Sequence, residues 1–353
     1  MHPVLAVAAG YAAFTLLGLA LHGWTPLWFV WIGERWSDGV AGGRAGYDGQ
    51  FVYYIARDGW AALPHLDAPA YRFSRVLYPL LARLLGGGDP AWAMLAINYA
   101  AVVGSAAAGA RWLAARGTSP WWILAYAASS GLVFAYSRDC TEPLAYGLAL
   151  AGAAAWLDGR RGVGFILLAL APLARETAVL FAAALGVAAL CERRWRDVAL
   201  LAATALPVAT WQLYLALNVP APTAGVFRLL SIVPLAGTFP LSTDPPHLAA
   251  AALIGLPALA LLPGAMAWVA RQPRSPFGWL IAGHALLVLI APAESYLHVL
   301  GIARVSVGLM AALLLAFPLL SAEMRWGVSL VAALPTLIWL GPMLWWAPWT
   351  AER

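Results

Sequence analysis

The sequence predicts an all-α polytopic membrane protein, and three observations predict it. Of 353 residues, 63% are hydrophobic and only 10% are charged, with a mean hydropathy of +0.77. An average soluble domain is about 45–50% apolar and about 25% charged, so this chain has too few charges to clothe itself in water. Apolar segments of spanning length follow one another along it, and arginines gather in every second short loop. A bilayer leaves no water for backbone polar groups, which selects helices for such segments. A soluble enzyme, a disordered chain and a nucleic-acid-binding module are thereby excluded. The 21 basic residues are all arginine. In a membrane protein, arginines mark cytoplasmic loops or hold anions inside a site.

The first expected span runs from Val4 to His22. It has no basic flank or small-residue cleavage site, so it is expected to stay in the protein. The polar stretch 33–75 forms a long first loop. Val76 to Leu85 is too short to span and is expected to be re-entrant or interfacial. Spans follow near 91–110, 120–136, 141–157, 162–173, 177–190, 198–217, 248–270, 277–291, 299–320 and 327–346, giving about eleven. Residues 1–353 make one membrane domain.

The short loops orient it. Arg111 and Arg116, Arg160 and Arg161, Arg193, Arg194 and Arg196, Arg271 and Arg274, and Arg325 fall in alternate loops. Those loops are cytoplasmic by the positive-inside rule. The N-terminus is then inside and the C-terminus outside, and loop 33–75, the 137–140 turn, the Arg175–Glu176 break, the 218–247 loop and the 292–298 turn face outside. Cys140 falls outside and Cys191 inside, so no disulfide joins them.

Carboxylates divide unequally on this map. Asp158, Glu192, Asp197 and Glu323 sit among the cytoplasmic arginines. Asp48, Asp139, Glu142, Glu176 and Glu294 lie on the outer side, several at helix ends, with Arg138, Arg175 and Arg304 at the same level. Ionisable groups at membrane depth are costly and usually mark a site. An outward-facing polar cavity is expected from segments far apart in the chain.

The first outer loop reads Tyr47-Asp48-Gly49-Gln50-Phe51-Val52-Tyr53-Tyr54-Ile55-Ala56. Asp48 either caps a short helix lying on the membrane through Phe51, Tyr54 and Ile55, or serves as a general base held there. Glu142 and Arg175 either join two helices or floor a sugar or phosphate pocket. Arg72, Arg75, Arg138 and Arg304 either snorkel or hold a phosphate. His298, beside Glu294 and Arg304, is a polar contact or a proton relay. No further ligand accompanies Glu294 and His298, so no metal is indicated. No cofactor is expected.

The order Tyr47-Asp48-Gly49-Gln50-Phe51, then Tyr71-Arg72-Phe73-Ser74-Arg75-Val76-Leu77-Tyr78-Pro79, resembles the GT-C class of membrane glycosyltransferases. It resembles an uncharacterised bacterial group within it, which is similar to the GPI mannosyltransferase 2 (PIG-V) family. Tyr47 stands where that family has Trp, and the later segment has a single Pro. Ser137-Arg138-Asp139-Cys140-Thr141-Glu142-Pro143-Leu144 is similar to the family's opening of a span, and Ala174-Arg175-Glu176-Thr177-Ala178 to its break between short helices. The resemblance covers 1–190, a catalytic module including loop 33–75. Residues 191–353 are expected to be variable helices shaping the lipid cavity.

The resemblance implies transfer of a sugar, mannose in that family, from a polyprenyl-phosphate carrier to a glycan, lipid or protein acceptor on the outer face of a bacterial-type plasma membrane. Asp48 is the expected base, Arg75 and Arg304 the phosphate ligands, and Glu142, Arg175 and Glu176 the sugar pocket. Tyr47, Gln50, Arg72, Arg138, Asp139, Glu294 and His298 are further substrate-binding candidates. Three other readings fit the same residues: a secondary transporter or lipid flippase, a cysteine transpeptidase using Cys140 with His298 and Arg304, or a non-catalytic scaffold or lipid-binding protein.

Overall fold

The computed structural model describes residues 2–219, 244–297 and 299–345; the candidate His298, most of the 218–247 loop and the C-terminus lie outside them. The described chain is 81% helical, without strands. Among the described residues, five helices are long and apolar enough to cross a membrane: Pro3–Leu21, Pro90–Ala114, Trp195–Asn218, Pro245–Arg271 and Ala322–Trp345. Val299–Val305 and Val307–Leu319, bent by 49°, form a sixth when taken as one broken span. The protein is therefore an integral, helical membrane protein. Against an expectation of about eleven spans, the other apolar helices, such as Arg161–Ala174, Glu176–Cys191 and Pro276–Leu289, are shorter.

One expected span, 120–136, is broken. Ile123–Ala127 and Ser130–Ser137 are separate helices. Their junction leaves backbone carbonyls without helical partners, and hydroxyls from elsewhere take them. Tyr11 donates to the Ala127 carbonyl (2.7 Å) and Thr336 to that of Ala128 (2.8 Å). Irregular backbone is tolerated in a membrane protein where side chains satisfy it in this way.

Helix α1, Glu142–Leu157, is the axis of the packing. It is buried along almost its whole length and lies against Pro90–Ala114, Arg161–Ala174, Val179–Cys191 and Val307–Ala316. Its small residues, Gly147, Ala149, Gly152 and Ala153, let those helices approach. Sixteen residues set its two ends about 24 Å apart. Just past the C-terminal end, Asp158 meets Arg116 (2.8 Å), while Asp197 meets Arg161 (3.1 Å) and Arg194 (2.6 Å). These are the arginines of the basic loops, and they share one end of the molecule. Glu142 opens the other end.

The helix Asp48–Asp58 differs from its expected place flat on the membrane. Every residue from Gly49 to Ala56 is buried. Its start is pressed against neighbouring backbone: a Cβ on Gly49 would lie 2.3 Å from the Arg138 carbonyl oxygen and 2.9 Å from that of Val30. The helix Leu77–Gly86 has the interfacial character instead, exposing Leu80, Leu84 and Leu85. Cys191 is exposed as well, whereas Cys140 is fully buried and shielded from solution.

Candidate active site at a buried ion network

The network grows outward from Glu142. Its side chain is 0% exposed, and Oε1 meets Arg175 (2.8 Å) and Arg304 (2.7 Å). Arg175 reaches it because the chain is extended at that residue (φ −157°), between the helix ending at Ala174 and the turn beginning at Glu176. Arg304 arrives on Val299–Val305. Gly131 fixes that approach, since a Cβ there would lie 2.0 Å from the Ala303 carbonyl oxygen.

Arg304 then passes the contact on. Its Nη2 donates to Asp48 Oδ2 at 2.8 Å, and its guanidinium lies 5.0 Å from the centre of the Tyr47 ring. Arg72 meets the other Asp48 oxygen at 3.0 Å and grips Asp67 through both carboxylate oxygens, at 2.6 Å each. It also stacks 4.1 Å from the Phe51 ring centre. Arg75 holds Glu176 through two bonds of 3.1 and 3.0 Å and donates to the Tyr71 hydroxyl. Four carboxylates, Asp48, Asp67, Glu142 and Glu176, thus face four guanidinium groups, Arg72, Arg75, Arg175 and Arg304, and the formal charges cancel.

Asp48 is the first residue of its helix, and the N-cap position before it belongs to Tyr47, whose side chain makes no capping bond. The cap reading is therefore replaced by that of an ion-network member. Burial alone would raise the Asp48 carboxyl, but Arg72, Arg304 and Arg75 outweigh it and hold the group well below the usual carboxylate range. The carboxylate remains 29% exposed, as Glu176 is 28% exposed, so both stand at the rim while Glu142 forms the floor.

Asp48, Phe51, Arg72, Arg75, Thr141 and Arg304 line a cleft together with Val52 and Cys140. Its interior of about 10 Å³ holds about one water. Thr141 Oγ1 and Glu142 Oε2, both buried, have no hydrogen-bond partner here. The Cys140 thiol donates to the Arg138 carbonyl (3.3 Å), as a packed cysteine does. Among the described residues no three His, Cys, Asp or Glu converge as metal ligands.

Other candidates lie apart from this network. Gln50 accepts from the Gly33 amide (3.0 Å) and donates to the Ala45 carbonyl, binding the loop to its helix. Arg138 donates to the carbonyls of Ser137 (2.6 Å) and Met343 (3.2 Å) and lies 4.0 Å from the centre of the Trp31 ring. Asp139, in a left-handed turn (φ 43°), accepts from Asn98 (3.2 Å) and Tyr78 (3.3 Å) away from any arginine. Burial pushes its carboxyl up to about 8 against those two bonds. Glu294 is exposed and makes no ion pair among the described residues.

Sequence reasoning missed Asp67, Tyr71 and Thr141. Asp67 precedes Arg72 by five residues across Pro69, a spacing compatible with a turn closing on its own side chains. Tyr71 and Arg75 are four apart, which is a helical-neighbour spacing. No known protein family, curated protein or solved structure matches this chain.

Proposed function

We propose that the chain is a GT-C-type glycosyltransferase that moves a sugar from a polyprenyl-phosphate carrier to an acceptor. The reading places about eleven spans with the N-terminus in the cytoplasm and the ion network at the outer face. One observation carries it: Asp48 stands solvent-open at the cleft rim, between two arginines brought from positions 72 and 304. The resemblance to the PIG-V family points to mannose as the sugar.

In this reaction the acceptor oxygen attacks the sugar's C1, and the bond from C1 to the phosphate oxygen breaks. The acceptor proton passes to Asp48, and the electron pair leaves with the lipid phosphate. A single displacement inverts the anomeric centre. Arginines stabilise the leaving phosphate, which needs no nucleotide-binding domain.

The charge balance adds a condition. Every guanidinium of the network already faces a carboxylate, so a phosphate must draw Arg72, Arg75 or Arg304 away from one. Drawing Arg304 or Arg72 from Asp48 removes what holds its carboxyl down and makes it a better base. Donor binding and activation of the base are then one event. The cleft is too small for a sugar ring, which would lie outside it against Asp48 and Glu176. The test is transfer by purified protein in nanodiscs from a panel of polyprenyl-phosphate sugars. Absence of transfer from every donor, with carrier lipid bound, would overturn the reading in favour of a transporter or a binding protein.

A further inference from the structure

A second cleft, of about 500 Å³, is lined by Phe73, at the end of the short helix Pro69–Phe73 that also carries Arg72. Its walls are Ile55, Trp60, Phe73, Leu80 and Trp211, and its polar groups are Asp58 and Arg83. The wall is rigid. Trp60 stacks on Phe73 with ring centres 4.3 Å apart, and the Trp211 indole donates to the Phe73 carbonyl (2.7 Å) while stacking on Tyr214 (5.3 Å).

Arg83 is uncommitted there. It makes no ion pair or hydrogen bond among the described residues, and its Nη1 sits 2.9 Å from where a Cβ on Gly59 would be. Asp58 is already held by Arg57 through bonds of 2.9 and 3.0 Å. Arg57, Arg83 and Asp58 sum to a net +1, in contrast with the balanced ion network around Asp48 and Glu142. Trp211 belongs to the long apolar helix Trp195–Asn218, and Leu80 and Leu84 lie exposed one turn apart on the helix that carries Arg83. The cleft therefore offers a cation and a stacked aromatic wall beside a strip of leucines that only hydrocarbon would cover.

We infer that this cleft binds an anionic phospholipid of the surrounding bilayer, its phosphate on Arg83 and a chain along Leu80 and Leu84. A cation between aromatic rings at the membrane boundary suits such a headgroup. A zwitterionic lipid lacks the net charge that Arg83 selects, and a neutral sugar would leave the leucines uncovered. The inference does not depend on the transferase reading.

The test uses the full chain in phosphatidylcholine nanodiscs doped with phosphatidylglycerol or phosphatidylcholine carrying a photoreactive acyl chain. Crosslinks are mapped by mass spectrometry. Phosphatidylglycerol is expected to label peptides carrying Trp60, Leu80, Leu84 or Trp211 about fivefold more than phosphatidylcholine, which corresponds to about 1 kcal/mol for one arginine. Arg83→Gln should remove that preference without lowering the melting temperature, because Arg83 has no ion-pair or hydrogen-bond partner among the described residues. Arg35→Gln, at an exposed arginine elsewhere, should leave it intact. Equal labelling by the two lipids, or a preference unchanged in Arg83→Gln, overturns the inference. So does loss of the label on adding inorganic phosphate alone, which would make this a site for the free anion.

Discussion

Arg304 and Asp48 stand 256 positions apart in the chain and 2.8 Å apart in space. The same Arg304 nitrogen touches Glu142 at 2.7 Å, so one guanidinium couples a rim carboxylate to a buried one. Changing any of the three alters the surroundings of the other two.

Asp48→Asn tests the base. The amide still accepts a bond from Arg304 but takes no proton. Expression and carrier-lipid binding should persist while turnover falls about 10²–10⁴-fold. Transfer at the wild-type rate would remove Asp48 from the chemistry and leave Glu142 as the next carboxylate to examine.

Glu142→Ala leaves Arg175 without its carboxylate and Arg304 with Asp48 alone. Removing one partner from a buried pair costs about 3–5 kcal/mol, so the variant should melt earlier and accumulate less. Wild-type melting in detergent would argue against the pairing.

Arg75→Glu and Glu176→Arg should each lower the melting temperature by placing like charges together. The double exchange should recover part of the loss, because the two groups face each other in a two-bond geometry. No recovery would mean that the Tyr71 contact, and not the ion pair, supplies the stability.

Asp139 sets a pH dependence. Its folded carboxyl, pushed up to about 8, lies above the ordinary value of about 3.9. The stability it contributes is complete below the ordinary value and is lost as pH rises toward 8, because the unfolded chain releases its proton first. Asp139→Asn has no proton to lose. Its melting temperature should gain on wild type steadily from pH 5 to pH 8, and a constant difference would refute the assignment.

Topology is checked by thiol labelling. Cys140 is buried and should stay unlabelled from either side. Cys191 should react in inside-out vesicles and not in intact cells, and Val40→Cys, at an exposed position of the first loop, should behave in the opposite way. Cys191 reacting from outside would invert the orientation.

The members of the network were largely legible from the sequence. Asp48, Glu142, Arg175, Glu176 and Arg304 stand out because an ionisable residue among apolar ones carries a high desolvation cost. Their pairings were not legible. Arg138 and Asp139 are chain neighbours but diverge at a left-handed turn, whereas Arg304 finds Asp48 through the close crossing at Gly131 and Ala303. The break at Ala128 was hidden for the same reason, since Tyr11 and Thr336, which support it, lie far along the chain. The burial of Asp48–Asp58 depends equally on what covers it, and a one-sided apolar pattern does not report that.

Helix α1 and the helix Arg161–Ala174 are short. Sixteen and fourteen residues give about 24 and 21 Å, against a hydrocarbon layer of about 30 Å. Standing upright, they fall about 6–9 Å short of matching it. If both helices span, as the proposed topology has it, Glu142 and Arg175 at their outer ends lie closer to the bilayer centre than a full-length helix would place them. Such hydrophobic mismatch costs fractions of a kcal/mol per Å and is relieved by a thinner bilayer. On the proposed topology acyl-chain length becomes a control on this protein, with short-chain lipids expected to favour the ion network and long-chain lipids to strain it.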